Sequence, residues 1–388
     1  MRLEYTEKQN KFRAEVRAWL EANMPKKALT SFDTEEGFAE HRAWEGKLNE
    51  ARFSAVTWPK ELGGRSCDLI EWLIFEEEYW RANAPLRVNQ NGIFLLAPTL
   101  IEYGTPEQKA RFLPRMAAGQ DIWAQGWSEP GAGSDMAAIR SKAVKDGDHY
   151  VINGQKTWST RAVWADWLFG LFRTDPDSQR HHGLTFILMP LNLPGITIRP
   201  IKQLNGLPGF AEIFFDDVRV PVANRMGDEG AGWNVAMATA GFERGLMLRS
   251  PARFQQTAKQ LVDLYQRHRD TADRDPAIRD AVLKSWMYAE AYTLSTYRTA
   301  GRLAKGAKIG AEASTNKIFW SELDLLMHET AMAILGARAE LMAHAPDAGD
   351  IGQWLDGFLF AQAGPIYAGT NEIQRNIIAE RMLGLPRA

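Results

Sequence analysis

Apolar residues recur at three-to-four spacing through KFRAEVRAWLEAN and LIEWLIFEEEYWRAN, and no strand pattern interrupts the first third of the chain. That third is predicted helical. WPKELGG and YGTPEQ punctuate it; in GTPEQKARFLPRM, Thr105 precedes Pro106 and Glu107, the order of an N-cap followed by a proline in the first helical turn. From about residue 124 the texture changes to short β-rich runs, HYVINGQKTWST, DWLFGLFRT, LTFILMPLNLPGITIRPI and AEIFFDDVRVP, separated by Gly, Pro, Asp and Asn. After MGDEGAGW the helical pattern returns and continues to the end, with YQRHRDTADRDPAIRDA predicted as an exposed loop that opens a helix. The expected order is helices over residues 1–123, a β domain over 124–228 and a helical bundle over 229–388.

One charged position breaks this pattern. In AGWNVAMATAGFERGLMLR, helical spacing puts Trp233, Met237, Ala240, Glu243 and Met247 on one face, so the Glu243 carboxylate shares a face with residues expected to pack inward. A carboxylate there is costly unless it is paired, protonated or used. Two readings stand: a helix-edge residue paired with an Arg elsewhere, or a functional group. Arg244 is not automatically its partner, because adjacent helical residues point about 100° apart.

Composition narrows the classes. With 388 residues and 45% hydrophobic positions the chain has room for two or three packed domains. Lys and Arg total 46 against 48 Asp and Glu, a formal charge of −2, so no global field points to nucleic acid or an anionic membrane. The N-terminus lacks the apolar centre of a signal peptide and no run is long enough to cross a bilayer, so a soluble cytoplasmic protein without membrane insertion is expected. Cys67 is the only cysteine, which excludes an internal disulfide or a thiolate cluster within one chain. Of the 7 His, the pair His181 and His182 falls in a polar loop, and no metal is expected.

The β region opens with QGWSEPGAGSDMAA, where Pro130, Gly131 and Gly133 force a tight turn and Ser128 and Ser134 flank exposed backbone N–H groups, a loop suited to an anion or the polar edge of a ring. INGQKTWST follows, and the chain finishes with IYAGTNEIQRNIIAERMLGLPR. In this order the three stretches resemble the acyl-CoA dehydrogenase family, over essentially the whole chain. The resemblance implies an α+β fold with an N-terminal α-helical domain, a middle β-barrel or sandwich domain and a C-terminal four-helix bundle. It further implies FAD, bound between the β domain and the bundle, and α,β-desaturation of an acyl-CoA thioester. Matched to the family's motifs, Trp127 and Ser128 lie against the isoalloxazine, and Gly133 and Ser134 near cofactor and substrate phosphates. Trp158 and Thr160 meet the flavin near its reactive nitrogen, while Thr370 and Glu372 form the last cofactor-contacting turn. Ordinary core packing is the competing reading of Trp158, and helix capping that of Thr370 and Glu372.

The chemistry needs a base for the α-proton and donors for the thioester oxygen. Many members of the family carry the basic Glu where this chain has Ala368, in IYAGT. A branch resembling isovaleryl-CoA and long-chain acyl-CoA dehydrogenases instead takes its base from the first long helix of the C-terminal bundle, directly before an Arg, which Glu243 and Arg244 match. The resemblance therefore implies Glu243 as base, the Ala368 backbone N–H as thioester donor and Arg244 near the acyl-CoA channel.

Two further segments of the family, which in homotetramers reach a neighbouring subunit's FAD, are not intact. RSPARFQQTAKQLVDLYQRHRDTADRDP lacks the Phe-Gly pair, and AMAILGARAE carries Ala333 for a Gln and Ala337 for a Gly. Two explanations stand: a catalytic subunit of a hetero-oligomer, such as an α2β2 assembly with a related chain, or a shortened loop whose role other residues have taken over. The expected electron acceptor is an electron-transferring flavoprotein; a flavin oxidase or monooxygenase on the same fold, or a non-catalytic subunit, are the alternatives. Trp123, Trp127 and Trp164 either shape a pocket for a branched, cyclic or polycyclic acyl group or belong to the core.

Overall fold

The computed structural model describes residues 4–243, 250–307, 310–343, 345–349 and 351–386, without the side chains of Phe242 and Glu243. Helices α1 (Glu7–Asn23), α2 (Glu35–Glu50), α3 (Leu69–Arg81), α4 (Ala97–Tyr103) and α5 (Pro106–Ala117) precede the first strand. The strands are β1 (Trp123–Gly126), β2 (Lys142–Asp146), β3 (His149–Thr160), β4 (Trp167–Arg173), β5 (Leu184–Pro190), β6 (Ile196–Ile201), β7 (Phe210–Pro221) and β8 (Arg225–Met226). Then come α6 (Gly232–Glu243), α7 (Pro251–Arg267), α8 (Arg269–Ala272), α9 (Pro276–Leu303), α10 (Glu312–Leu335), α11 (Gly352–Ala361) and α12 (Asn371–Ile377). This is the expected succession of helices, strands and helices. No helix among the described residues is long and apolar enough to cross a membrane.

Compaction does not follow chain order. One unit gathers Met1–Met24, Asp68–Ala84 and Arg244–Ala388; the other gathers Pro25–Cys67 and Pro85–Glu243. In the first unit α1 buries Phe12, Val16 and Leu20, and α3, opened by a capping box between Asp68 and Glu71, buries Trp72, Leu73 and Phe75. Glu78 of α3 accepts from Arg13 at 3.0 Å and from Arg17 at 2.9 Å. The bundle core comes from α7, α9, α10 and α11, with Phe254, Leu261, Tyr292, Trp320, Met327 and Trp354 packed together. YQRHRDTADRDPAIRDA departs from its prediction as a loop: Tyr265 remains in α7, residues 269–272 form α8, and only then does Asp275 cap α9. Burial of Tyr265 and Ala272 in the bundle core is the reason, because it extends helix where polar composition alone suggests coil.

The second unit holds one eight-stranded sheet in the order β6-β7-β3-β2-β4-β5-β8, with β1 parallel to β4 off that path. Alternation along β3 and β7 sends Tyr150, Ile152, Ala211, Ile213, Val218 and Val220 into a shared core. As the sequence indicates, Thr105 caps α5 in a capping box with Gln108, and Pro106 sits in its first turn. Gln108 then reaches the carbonyls of Ala223 and Arg225 at 2.9 and 2.8 Å.

Helix α6 forms where expected and buries Ala240 of the expected face, but not its large residues. Gly232, Val235, Ala236, Thr239 and Ala240 are buried, whereas Trp233 and Met237 are only half-buried. The reason is close approach: a Cβ on Gly232 would meet the Phe186 backbone N at 2.5 Å, so the small residues, not the large ones, face the sheet.

Candidate active site

In the second unit the loop after β1 is braced from below by a buried ion pair. The Lys156 ammonium, fully buried on β3, donates to Glu129 Oε1 at 2.8 Å, Leu171 O at 2.7 Å and Trp127 O at 3.3 Å. Glu129 also accepts the backbone N–H groups of Arg140 at 2.6 Å and Ser141 at 2.9 Å. Burial pushes the Lys156 ammonium down to about 8, against the opposing pull of Glu129. For Glu129 burial raises the carboxyl, but Lys156 and the amides outweigh it and hold it below its ordinary value. Reciprocal backbone bonds between Glu129 and Ala132, 3.1 and 2.9 Å, close the turn, and Thr157 N donates to Ser128 O at 2.9 Å. Trp127 and Ser128 are thereby fixed to the strand that carries Trp158 and Thr160.

Two features of this corner look outward. Gly131 and Gly133 are exposed, neither has a left-handed φ, and among the described residues a Cβ on either would meet nothing within 4 Å beyond its chain neighbours. Nothing among the described residues requires glycine there. Ser134 is exposed beside them, followed by Asp135, which pairs with Arg180 at 2.9 Å. Inside, Trp127 Nε1 and Ser159 Oγ are buried without a hydrogen-bond partner among the described residues. The Trp127 ring packs edge-on against Phe169 and Phe186, with centroids 6.3 and 6.5 Å away.

Strand β3 bulges at the same place. Lys156 pairs with Ile213 and Ser159 with Ala211, so two residues of β3 face one of β7. Trp158 sits in the bulge at φ +59°, with 61% of its surface exposed. Core packing is therefore not its role. A large aromatic held at positive φ and turned to the outside is a strained arrangement of the kind that marks functional sites. Trp123, by contrast, is core, stacked on Trp167 at 5.2 Å.

In the first unit Ala368 and Gly369 make consecutive left-handed turns, φ +56° and +78°. Gln374 clamps them, its Nε2 donating to Ala368 O and Gly369 O at 3.2 Å each. Thr370 caps α12 by accepting from Ile373 N at 3.3 Å. Behind the turn Asn371 is buried, its Oδ1 accepting from Lys317 Nζ at 2.8 Å and its Nδ2 donating to Ser321 Oγ at 3.1 Å. The Ala368 N–H donates to nothing among the described residues. Glu372 is exposed in the first turn of α12, held below its ordinary value by the amides there and by the Thr370 hydroxyl.

Glu243 is the last residue of α6; its side chain, and Arg244 altogether, lie outside the described residues. Of the residues expected at the site, Trp127, Ser128, Gly133, Ser134, Trp158 and Thr160 share one cross-linked corner, and Ala368, Thr370 and Glu372 share one turn. Sequence reasoning misses Glu129, Lys156 and Gln374. A signal for Lys156 is present, since it continues the inward alternation of Tyr150 and Ile152, where a lysine is out of place without a buried partner.

Residues 6–120, 124–218 and 230–383 match, in turn, the family profiles described as acyl-CoA dehydrogenase N-terminal, middle and C-terminal domains. The chain is 43% identical over 383 residues to the acyl-CoA dehydrogenase IpdE1 of Mycobacterium tuberculosis, covering 97% of each. It resembles a chain of the ChsE4-ChsE5 complex of Mycobacterium tuberculosis with a TM-score of 0.86 and 33% identity over 100% of both chains. A chain of the Tcur3481-Tcur3483 steroid ACAD matches with a TM-score of 0.87 and 27% identity, again over 100% of both.

Proposed function

The chain belongs to the acyl-CoA dehydrogenase family, an oxidoreductase family, and from that premise we propose that it desaturates an acyl-CoA thioester between Cα and Cβ with Glu243 as base and FAD as its flavin. One observation carries the assignment of roles. At Ala368 the turn keeps a backbone N–H that donates to nothing among the described residues, while its methyl group cannot accept a proton. A donor without a base at this turn calls for a carboxylate from elsewhere, and Glu243 ends the apolar helix α6.

The residues fit a flavin. Trp127 Nε1 and Ser159 Oγ are orphaned buried polar groups, and Gly131 and Gly133 leave open space before a turn rich in backbone N–H groups. Trp127, Ser128, Trp158 and Thr160 would hold its ring, with Gly133, Ser134, Thr370 and Glu372 toward its phosphates and ribityl chain. Bound flavin supplies the acceptor for the β-hydride. Glu243 takes the α-proton, and the Ala368 N–H donates to the thioester oxygen as enolate character develops; a donor in that role is worth about 10²–10³ in rate. Arg244 would lie near the acyl-CoA channel, and Ser134 near the substrate's phosphates.

The relatives support a reading of the substrate class. A structural neighbour covering the whole chain is named as a steroid ACAD, and we assign a polycyclic, steroid-derived acyl group to this chain on that likeness. The assembly is read in the same way: two neighbours are named as pairs of chains, which supports a hetero-oligomer whose partner supplies the flavin-binding groups that Ala333 and Ala337 cannot provide. An exposed apolar stripe of Leu283, Trp286, Met287 and Leu294 on α9 is in keeping with an oligomer. Electrons pass to an electron-transferring flavoprotein.

Anaerobic titration with CoA thioesters graded from short chains to steroid side chains tests both parts. The flavin should bleach with the polycyclic thioester, and Glu243→Gln should not bleach with any. Full bleaching in that variant would refute the base, and equal bleaching across all sizes would refute the substrate class.

A further inference from the structure

We propose that Arg161 and Asp33 form a clasp that positions the Thr160 end of β3 for the flavin, which makes Arg161 a positioning residue of the site. This role rests on the flavin reading of the β3 corner. Arg161 directly follows Thr160, and its φ of +50° makes it the second left-handed residue within four, after Trp158 at +59°. Neither residue favours that conformation, so the backbone around Thr160 keeps its course only if something outside the strand fixes it.

Arg161 has three such anchors. Its N–H donates to Gly209 O at 3.0 Å, and its Nε donates to Asp33 Oδ1 at 2.9 Å. Its guanidinium lies 3.7 Å from the centroid of the Phe32 ring. Asp33 in turn accepts Gln203 Nε2 on its other oxygen at 3.0 Å. One carboxylate therefore ties together the segment before α2, the end of β3 and the loop between β6 and β7. The two charges are largely withdrawn from water, with side chains 14% and 12% exposed, so each depends on the other. Phe32 is itself held, its ring 5.5 Å from that of His41, whose Nδ1 and Nε2 meet Leu86 O at 2.7 Å and Thr30 O at 3.2 Å. The left-handed backbone at Arg161 is thus held by groups from the segment before α2 and the loop between β6 and β7, as expected if the bulge before it serves a ligand.

The test compares flavin-replete full-length Arg161→Gln, Asp33→Asn and the double variant, reading flavin dissociation constant, the visible band of bound flavin and amide exchange across residues 157–161. Each single variant should weaken flavin at least tenfold and broaden the band, and the double should be no weaker than the worse single. Gln203→Leu, a milder loosening of the same carboxylate, should weaken flavin about threefold and guards against misfolding of the charged variants. Thr160→Val separates the clasp from the flavin site itself. If it weakens flavin while Arg161→Gln and Gln203→Leu do not, the clasp is overturned. If Thr160→Val has no effect, the flavin reading fails, and faster exchange in Arg161→Gln would then reveal only a structural tie, which also overturns the positioning role.

Discussion

Gly133 offers a clean separation between what the fold needs and what a ligand needs. Among the described residues a methyl group on Gly133 would meet no atom within 4 Å beyond its chain neighbours, and its φ is not left-handed. Gly133→Ala should therefore leave stability unchanged or raise it by about 0.4–1 kcal/mol through the unfolded chain. If the flavin or its phosphates close against this backbone, the same methyl costs about 1–3 kcal/mol of overpacking in the complex, roughly 5–150-fold in dissociation constant. Gly154→Ala is the control. There φ is +142° and the added Cβ would sit 2.4 Å from Ser141 Oγ, so stability must fall whatever happens at the ligand. Urea unfolding and flavin titration on both variants decide the matter. A Gly133→Ala protein that is as stable as the parent and binds flavin within twofold of it would refute the reasoning that a ligand explains this glycine.

Two other expectations follow from the ion pairs. Lys156→Met leaves the Glu129 carboxylate, 9% exposed, with two backbone donors and no cation, which should destabilise the protein by about 3–5 kcal/mol in urea; adding Glu129→Gln should recover part of it, and a single variant within about 0.5 kcal/mol of the parent would contradict the bracing role. Burial raises the Glu78 carboxyl, but Arg17, Arg13 and Arg81 outweigh it and hold it at about 2 against an ordinary 4.5. Because the folded state keeps this carboxylate charged, its stabilisation is complete above about 4.5 and is lost as pH falls toward about 2. Glu78→Gln should flatten that acid limb in a plot of urea midpoint against pH, and an unchanged slope would count against it.

Much of the architecture is legible because it is written in periodicity and caps. Thr105 before Pro106 defines the start of α5 as local chemistry, and the change from helical to alternating spacing near residue 124 marks the sheet. The turn after β1 is legible as a turn, since Pro130 and its glycine neighbours are local signals, although Gly131 and Gly133 are not required by the described residues around them. What eludes the sequence depends on contacts far apart in the chain. The inward face of α6 is set by how closely Gly232 meets β5, which no helical projection contains, so a projection gives Trp233 and Met237 too much weight. Asp33 is separated from Arg161 by 128 residues, and nothing in SFDTEE announces the pairing. Gln374 reads as an ordinary polar helix residue until the double left-handed turn it clamps is in view.

Acceptance of the α-proton by Glu243 is the central step of the proposal, and it can be watched without hydride transfer. A CoA thioester that binds but cannot release its β-hydride, labelled with deuterium at Cα, should lose the label to solvent on the parent enzyme. In Glu243→Gln the loss should be at least about 10²-fold slower. Exchange at the parental rate in that variant would mean that another group takes the proton, and Glu243 would not be the base.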